Sequence, residues 1–210
     1  MDLLIISAVE FESAPTVRLL KQLGIPHRVA YCGVGPIQAA KNSKKIADAA
    51  MGKDVIFLGS CGIFNNFTNI EIITTNLILW MPEGVRRHLS EVIDGVYPPI
   101  KLDLPNHNSA IKKMTMLCSS TIGVSPYTNN PSTPYDFDLE RSVENLEFYS
   151  VAEDIKAVSR SFMNFFAITN EIGTEARMQW KKNFKDAALL TADVVINYIK
   201  NNFAYEGKPR

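Results

Sequence analysis

VENLEFYSVAEDIKAVSRSFMNFFAITNEIG, residues 143–173, carries both periodicities from which an α/β fold is built. Phe148, Val151, Ala152, Ile155, Val158 and Phe162 recur close to i, i+3, i+4, i+7, the spacing of a helix with one buried face. Glu147 stands at the start of that helix. From Phe162 to Ile168 only Asn164 interrupts the apolar run, so the segment reads as a short strand buried on both faces. The strand is expected to stop at Thr169-Asn170, where polar side chains emerge at its carboxyl end. In open α/β sheets, ligands sit at that edge. Taken alone, the same residues also suit a plain core helix with a solvated glutamate and a turn asparagine.

The flanking chain repeats the alternation. Leu3 to Val9 (LLIISAV) reads as a buried first strand ending in Glu10-Phe11-Glu12, with a helix from Ser13 to Leu23 closed by Gly24 and Pro26. His27 to Cys32 predicts a second strand, leading into Gly33-Val34-Gly35-Pro36. Pro36 suits the first turn of a helix carrying Ala39, Ala40, Ile46 and Ala49. Asp54 to Leu58 is a third apolar strand, ending in Gly59-Ser60-Cys61-Gly62. Strands alternating with helices of this length argue for α/β layering with a largely parallel sheet. Ile70 to Trp80 and Met114 to Ile122 add two further strands. Met81 to Asn108, with prolines at 82, 98, 99 and 105, reads as a long loop with one short helix. Gly123 to Asp138 reads as an ordered loop or lid. Ala176 to Asn201 predicts a long last helix whose apolar face holds Trp180, Phe184, Ala188, Leu189, Ala192, Val195 and Ile199. The simplest organisation is one domain over residues 1–210.

Bulk composition narrows the classes. Lys+Arg and Asp+Glu both total 22, so no net field draws nucleic acid, and Arg86-Arg87-His88 is the densest cationic spot. No apolar stretch approaches the roughly 20 residues of a membrane span, and no basic segment precedes the first strand as in a signal peptide. Cys32, Cys61 and Cys118 are widely spaced in apolar surroundings, which reads as reduced, buried thiols in a cytoplasmic protein. His27, His88 and His107 lack metal-ligand spacing, so no metal is expected.

Four strand ends deliver small or polar groups: Glu10/Glu12, Gly33-Val34-Gly35, Gly59-Ser60 and Thr169-Asn170, with Glu147 added from a helix start. Parallel strands would bring them to one edge of the sheet; otherwise each is a local turn or cap. Gly33-x-Gly35 falls short of a dinucleotide fingerprint, because Gln38 stands where the third glycine belongs and no acidic ribose ligand ends the next strand. Gly59-Ser60-Cys61-Gly62 is not the G-x-S-x-G elbow of a hydrolase. Cys61 has no candidate base near it in sequence, so a structural thiol is the better reading.

In order along the chain, SAVEFE (7–12), GVGPIQAA (33–40), IFLGSCG (56–62), ENLE (144–147) and ITNEIG (168–173) resemble the nucleoside phosphorylase superfamily. Within it, the similarity is to the nucleosidase branch of methylthioadenosine/S-adenosylhomocysteine nucleosidase and futalosine hydrolase. ENLE and ITNEIG, with Arg177 and Trp180 beyond, look closer to futalosine hydrolase; the likeness is thinnest from Pro82 to Arg141. The resemblance implies a three-layer α/β fold with a mixed, twisted central sheet flanked by helices, and no cofactor. It implies a homodimer or larger homo-oligomer, with the region 127–148 as the place to look for the neighbour. It also implies hydrolysis of a purine nucleoside, with futalosine placing the enzyme in menaquinone biosynthesis.

Such a reaction passes through an oxocarbenium-like sugar and needs an activated water, a grip on the ribose and help for the leaving base. By resemblance, Glu12 activates the water and Ser60 helps hold it. Glu147 accepts hydrogen bonds from the 2′- and 3′-hydroxyls, beside Leu146, which replaces the methionine usual there; Gly35 and Gly59 also line the substrate. Asn170 stands where adenine-specific enzymes carry an aspartate. It cannot protonate N7, but its amide offers a donor and an acceptor, which suits a 6-oxopurine. Arg177 could meet an acidic substrate tail. Two alternatives stay open: a phosphorylase, which needs arginines to hold phosphate, and a nucleoside-binding paralogue of weak activity.

Overall fold

Strand β1 (Leu3–Ser7) is buried at every residue: Leu3 to Ile6 form an apolar run, and the buried Ser7 hydroxyl donates to Val9 O. The structure, a computed structural model, describes residues 2–81, 97–104, 111–119 and 138–203. Among these, eight strands form one mixed sheet. β1 pairs in parallel with β2 (His27–Tyr31) and β3 (Asp54–Ile63), and β3 pairs in parallel with β8 (Ser161–Glu171). β8 then runs antiparallel to β4 (Glu71–Trp80), which also pairs with β5 (Ile100–Lys101) and β6 (Lys112–Cys118). β7 (Ser142–Asn145) joins β6 back to β3. The strands β3, β7, β6, β4 and β8 therefore close on themselves as a ring, with β1 and β2 extending from it.

Alternation along the strands divides the core between two faces. On one, Leu4, Ile6, Val55 and Phe57 meet α2 (Pro36–Ala50) and α3 (Tyr149–Val158). On the other, Leu3, Ile5, Ile56, Leu58 and Phe165 meet α1 (Glu10–Gln22) and α4 (Ala176–Asn202). The result is the three-layer α/β arrangement that the sequence predicts. Asn164, the one polar residue in the apolar run of β8, is fully buried. Its amide accepts from Thr74 Oγ1 and Thr75 N and donates to Thr75 O, so nothing is left unpaired. At the amino-terminal end of β3, burial pushes the Asp54 carboxyl up, but hydrogen bonds from Arg160 and Ser161 outweigh it and hold the group below its ordinary value.

Several boundaries differ from the sequence reading, and each has a physical cause. β3 does not end at Gly59-Ser60 but continues to Ile63, paired with β8 along its length and carrying an irregularity between Cys61 and Gly62. These glycines serve close approach rather than a turn. A Cβ on Gly59 would lie 2.9 Å from Phe166 Cε1, and one on Gly62 would lie 2.8 Å from Asn170 Nδ2. Gly59→Ala is accordingly expected to cost about 1–3 kcal/mol of stability, read from urea unfolding. β8 likewise runs past Thr169-Asn170 to Glu171. Helix α1 begins at Glu10, so Glu12 lies in its first turn, where a carboxylate suits the helix dipole. Leu189 lies off the buried face of α4 at 48% exposure, and Ala40 is exposed on α2.

β7 carries no strand signal in its sequence: SVEN is short and mostly polar, yet all four residues are buried. The expected short helix after Met81, the Gly123–Asp138 loop except Asp138, and Arg86, Arg87, His88 and His107 lie outside the described residues.

Candidate active site

Strands β2, β1, β3 and β8 are mutually parallel, so the groups at their carboxyl ends do fall on one edge. Glu12 enters from α1. Its Oε2 accepts the Ala8 N–H at 3.1 Å, and its Oε1 accepts both the Ser60 hydroxyl at 3.1 Å and the Ser60 N–H at 3.3 Å. Burial raises the Glu12 carboxyl to about 7, and the nearby Glu147 charge adds to the rise, against the opposing pull of Ser60 and the Val9 and Ala8 backbone. A carboxyl poised there exchanges protons near neutrality, as a general base must.

Glu147 reaches the same edge from the other side, between β7 and α3. Its Oε1 accepts the Gly35 N–H at 2.8 Å. Gly35 has φ 79°, a left-handed conformation that glycine takes without strain and that aims this N–H just before α2. Burial pushes the Glu147 carboxyl above its ordinary value, with the Gly35 bond pulling the other way. Asn145 ties the two glutamates together. Its Oδ1 accepts the N–H groups of Glu147 and Phe148 at 2.9 and 2.8 Å, while its Nδ2 donates to Ser60 O at 3.0 Å. Glu12, Ser60, Asn145, Glu147 and Gly35 thus form one connected network. Phe148 anchors its far end, fully buried against Phe57 and Phe166.

A cleft between α1 and α4 opens onto this network from the α1/α4 face. Phe11, Glu12, Gly59, Ser60, Trp180 and Phe184 are among the residues that line it. Gly35, Leu146, Glu147, Asn170 and Arg177 lie outside its lining. Leu146 is half-buried beside Glu147. Asn170 pairs with Gly62, two residues along β3 from Ser60, and its amide is held locally: Oδ1 accepts the Thr169 hydroxyl at 2.9 Å and Nδ2 donates to Glu171 O at 3.2 Å. Arg177 is exposed in the first turn of α4.

Two residues take part whose contacts the sequence does not reveal. Asn145 sits inside ENLE, but a lone asparagine before a helix reads as a cap. Trp180 read as part of a buried helix face, yet it is half-buried and its Nε1 donates to Ser60 Oγ at 3.2 Å. Cys32 lies close enough to feel both glutamates. Burial first, then the Glu147 and Glu12 charges, push its thiol up to about 12, so it stays neutral. Burial also raises the Cys61 thiol, which donates to Ala167 O. Among the described residues, all three cysteines are free and buried. Ser60→Ala removes one bond that favours the ionised Glu12. The acid limb of any Glu12-dependent activity should therefore move to higher pH by about 0.5–1 in a pH–rate profile.

No family model and no curated protein matches the sequence. The fold, by contrast, is shared with solved nucleosidases and is the phosphorylase/nucleosidase-like fold that the sequence resemblance implied. The Helicobacter pylori 5′-methylthioadenosine/S-adenosylhomocysteine nucleosidase, solved with butyl-thio-DADMe-Immucillin-A, matches with a TM-score of 0.71 at 13% identity over 96% of this chain and 98% of that one. Native futalosine hydrolase of Helicobacter pylori strain 26695 matches with a TM-score of 0.71 at 14% identity, again over 96% and 98%. A putative nucleosidase from Francisella philomiragia matches with a TM-score of 0.69 at 13% identity over 95% and 98%. No described helix is long and apolar enough to cross a membrane.

Proposed function

We propose that the protein hydrolyses the N-ribosidic bond of a purine nucleoside. The observation that carries this reading is the half-buried Glu12–Ser60 pair, hydrogen-bonded at 3.1 Å, with the Glu12 carboxyl raised to about 7 and within reach of the Glu147 charge. Glu12 in its ionised form takes a proton from water as that water attacks the anomeric carbon. The Ser60 hydroxyl helps hold the water. Glu147 accepts hydrogen bonds from the ribose 2′- and 3′-hydroxyls, with Leu146 and Gly35 beside it, while Gly59 lies next to Ser60 in the cleft. As the bond to the base breaks, the sugar gains oxocarbenium character and the purine leaves with its electron pair, taking up a proton from solvent, to which Glu12 in turn releases the proton it accepted from water. Two ionised glutamates favour that positive charge, and the Asn170 amide can donate to the departing base. A carboxylate at this position would repel the O6 of a 6-oxopurine, so futalosine or a related nucleoside is the favoured substrate, with Arg177 available to an acidic tail. On this reading the enzyme needs no cofactor and works in the cytoplasm as a homo-oligomer.

Water is preferred to phosphate because no arginine joins the described Glu12–Glu147 network, and phosphate would need one. Arg160 is engaged with Asp54 at the opposite edge. One assay tests these readings: futalosine, methylthioadenosine and inosine are incubated with the protein, with and without phosphate, and base release is followed. Hydrolysis of futalosine to free hypoxanthine and a reducing sugar, independent of phosphate, is the expected outcome. A sugar 1-phosphate would make it a phosphorylase. Ligand-induced thermal shifts without turnover would make it a nucleoside binder.

A further inference from the structure

Within the network around Glu12, one contact has no evident need to exist for packing alone. Trp180 stacks on Phe184 with ring centroids 5.3 Å apart and meets Phe11 edge-on at 5.8 Å, so aromatic packing already fixes its ring. Its indole nevertheless points its only polar group at Ser60 Oγ. An indole N–H can only donate, whereas a serine hydroxyl has one proton and can also accept. By occupying Ser60 Oγ as an acceptor, Trp180 leaves the hydroxyl proton one productive direction, toward Glu12 Oε1 at 3.1 Å.

We propose that Trp180 is a positioning residue for the reaction assigned above: through Ser60, its indole N–H orients the hydroxyl proton that keeps Glu12 ionised and ready to receive a proton. The chain of donation runs from Trp180 Nε1 to Ser60 Oγ, and from Ser60 Oγ to Glu12 Oε1. Each bond polarises the next, so the charge on Glu12 is felt at the indole. Among the described residues, the other titratable groups that couple to Glu12 are Glu147 and Cys32. Of the α4 residues lining the cleft (Trp180, Phe184, Ala187, Ala188 and Thr191), none is ionisable, so Trp180 acts through hydrogen bonding rather than charge.

Side-chain NMR tests this without needing activity. The chain holds two tryptophans, so the indole N–H signal of Trp180 is assigned by comparison with W80F. In the otherwise unaltered protein this signal should shift with pH at the midpoint at which the Glu12 carboxyl carbon titrates. E12Q and S60A should each abolish that movement. In W180F the Glu12 midpoint should rise by about 0.5, and in S60A/W180F no further than in S60A alone. An indole signal that ignores the Glu12 titration would overturn the proposal, as would a W180F effect of equal size with and without Ser60. The indole measurement stands even if W180F does not fold. Absence of turnover on every nucleoside would sink the hydrolase reading while the linked titration persisted. Normal turnover with an indole that does not titrate would sink the linkage alone.

Discussion

Glu12→Gln is expected to lower nucleoside hydrolysis by about 10²–10⁴-fold, the usual worth of a positioned general base. Glutamine keeps the size and the acceptor oxygen that faces Ser60, so the cleft should survive while proton acceptance is lost. In the parent protein, kcat/KM should rise with pH through about 7, the value to which burial and then Glu147 raise the group. That limb should vanish in the variant. The same residue makes the fold pay a stability cost at alkaline pH. A carboxyl raised from 4.5 to about 7 on folding contributes stability that is fully present below about 4.5 and is lost as pH rises through about 7. Above pH 8 the parent therefore holds a desolvated charge that glutamine lacks. The variant should be more stable there, by on the order of 3 kcal/mol, and the two should converge near pH 5. Urea unfolding at both pH values checks this. A variant that is inactive yet no more stable at pH 8 would mean that Glu12 carries no buried charge.

Glu147→Ala should reduce kcat/KM by about 10²–10⁴-fold. Two charge-assisted hydrogen bonds to the ribose, each worth about 1.5–3 kcal/mol, disappear together. The Gly35 N–H also loses the acceptor that satisfies it. A second effect separates Glu147 from a residue that merely packs. Its charge helps raise Glu12, so what activity remains should show its acid limb at lower pH. Glu147→Gln should share that downward displacement while retaining more ribose affinity. An unchanged pH profile in both variants would show that the two carboxylates do not sense each other.

The elements of the fold were legible where a single period dominated. β1, the helix 149–158 and the run from Phe162 to Ile168 each announce themselves, because burial on two faces or one imposes a pattern that is local in sequence. The strand ends were not legible. Gly59 and Gly62 look like turn residues, and only the arrival of Phe166 and Asn170 from a strand more than a hundred residues later gives them another purpose. β7 escaped because pairing on both sides, rather than hydrophobicity, buries its polar residues. For the site, resemblance placed Glu12, Ser60 and Glu147, and the structure draws them into one network. Trp180 belongs to the resemblance, but its contact with Ser60 and that of Asn145 were not legible, since nothing adjacent in the sequence reveals the shared partner.

The loop of strands that closes through β3 and β8 makes the Glu12 network depend on segments far apart in the chain. Ser60 rides on one side of that seam and Asn170 on the other. During synthesis, β1, β2 and β3 emerge well before β8 (Ser161–Glu171) and the helix that brings Trp180. A nascent or clipped fragment would thus carry Glu12 with no cleft to serve. Fragments split within residues 120–137 should regain function only when recombined.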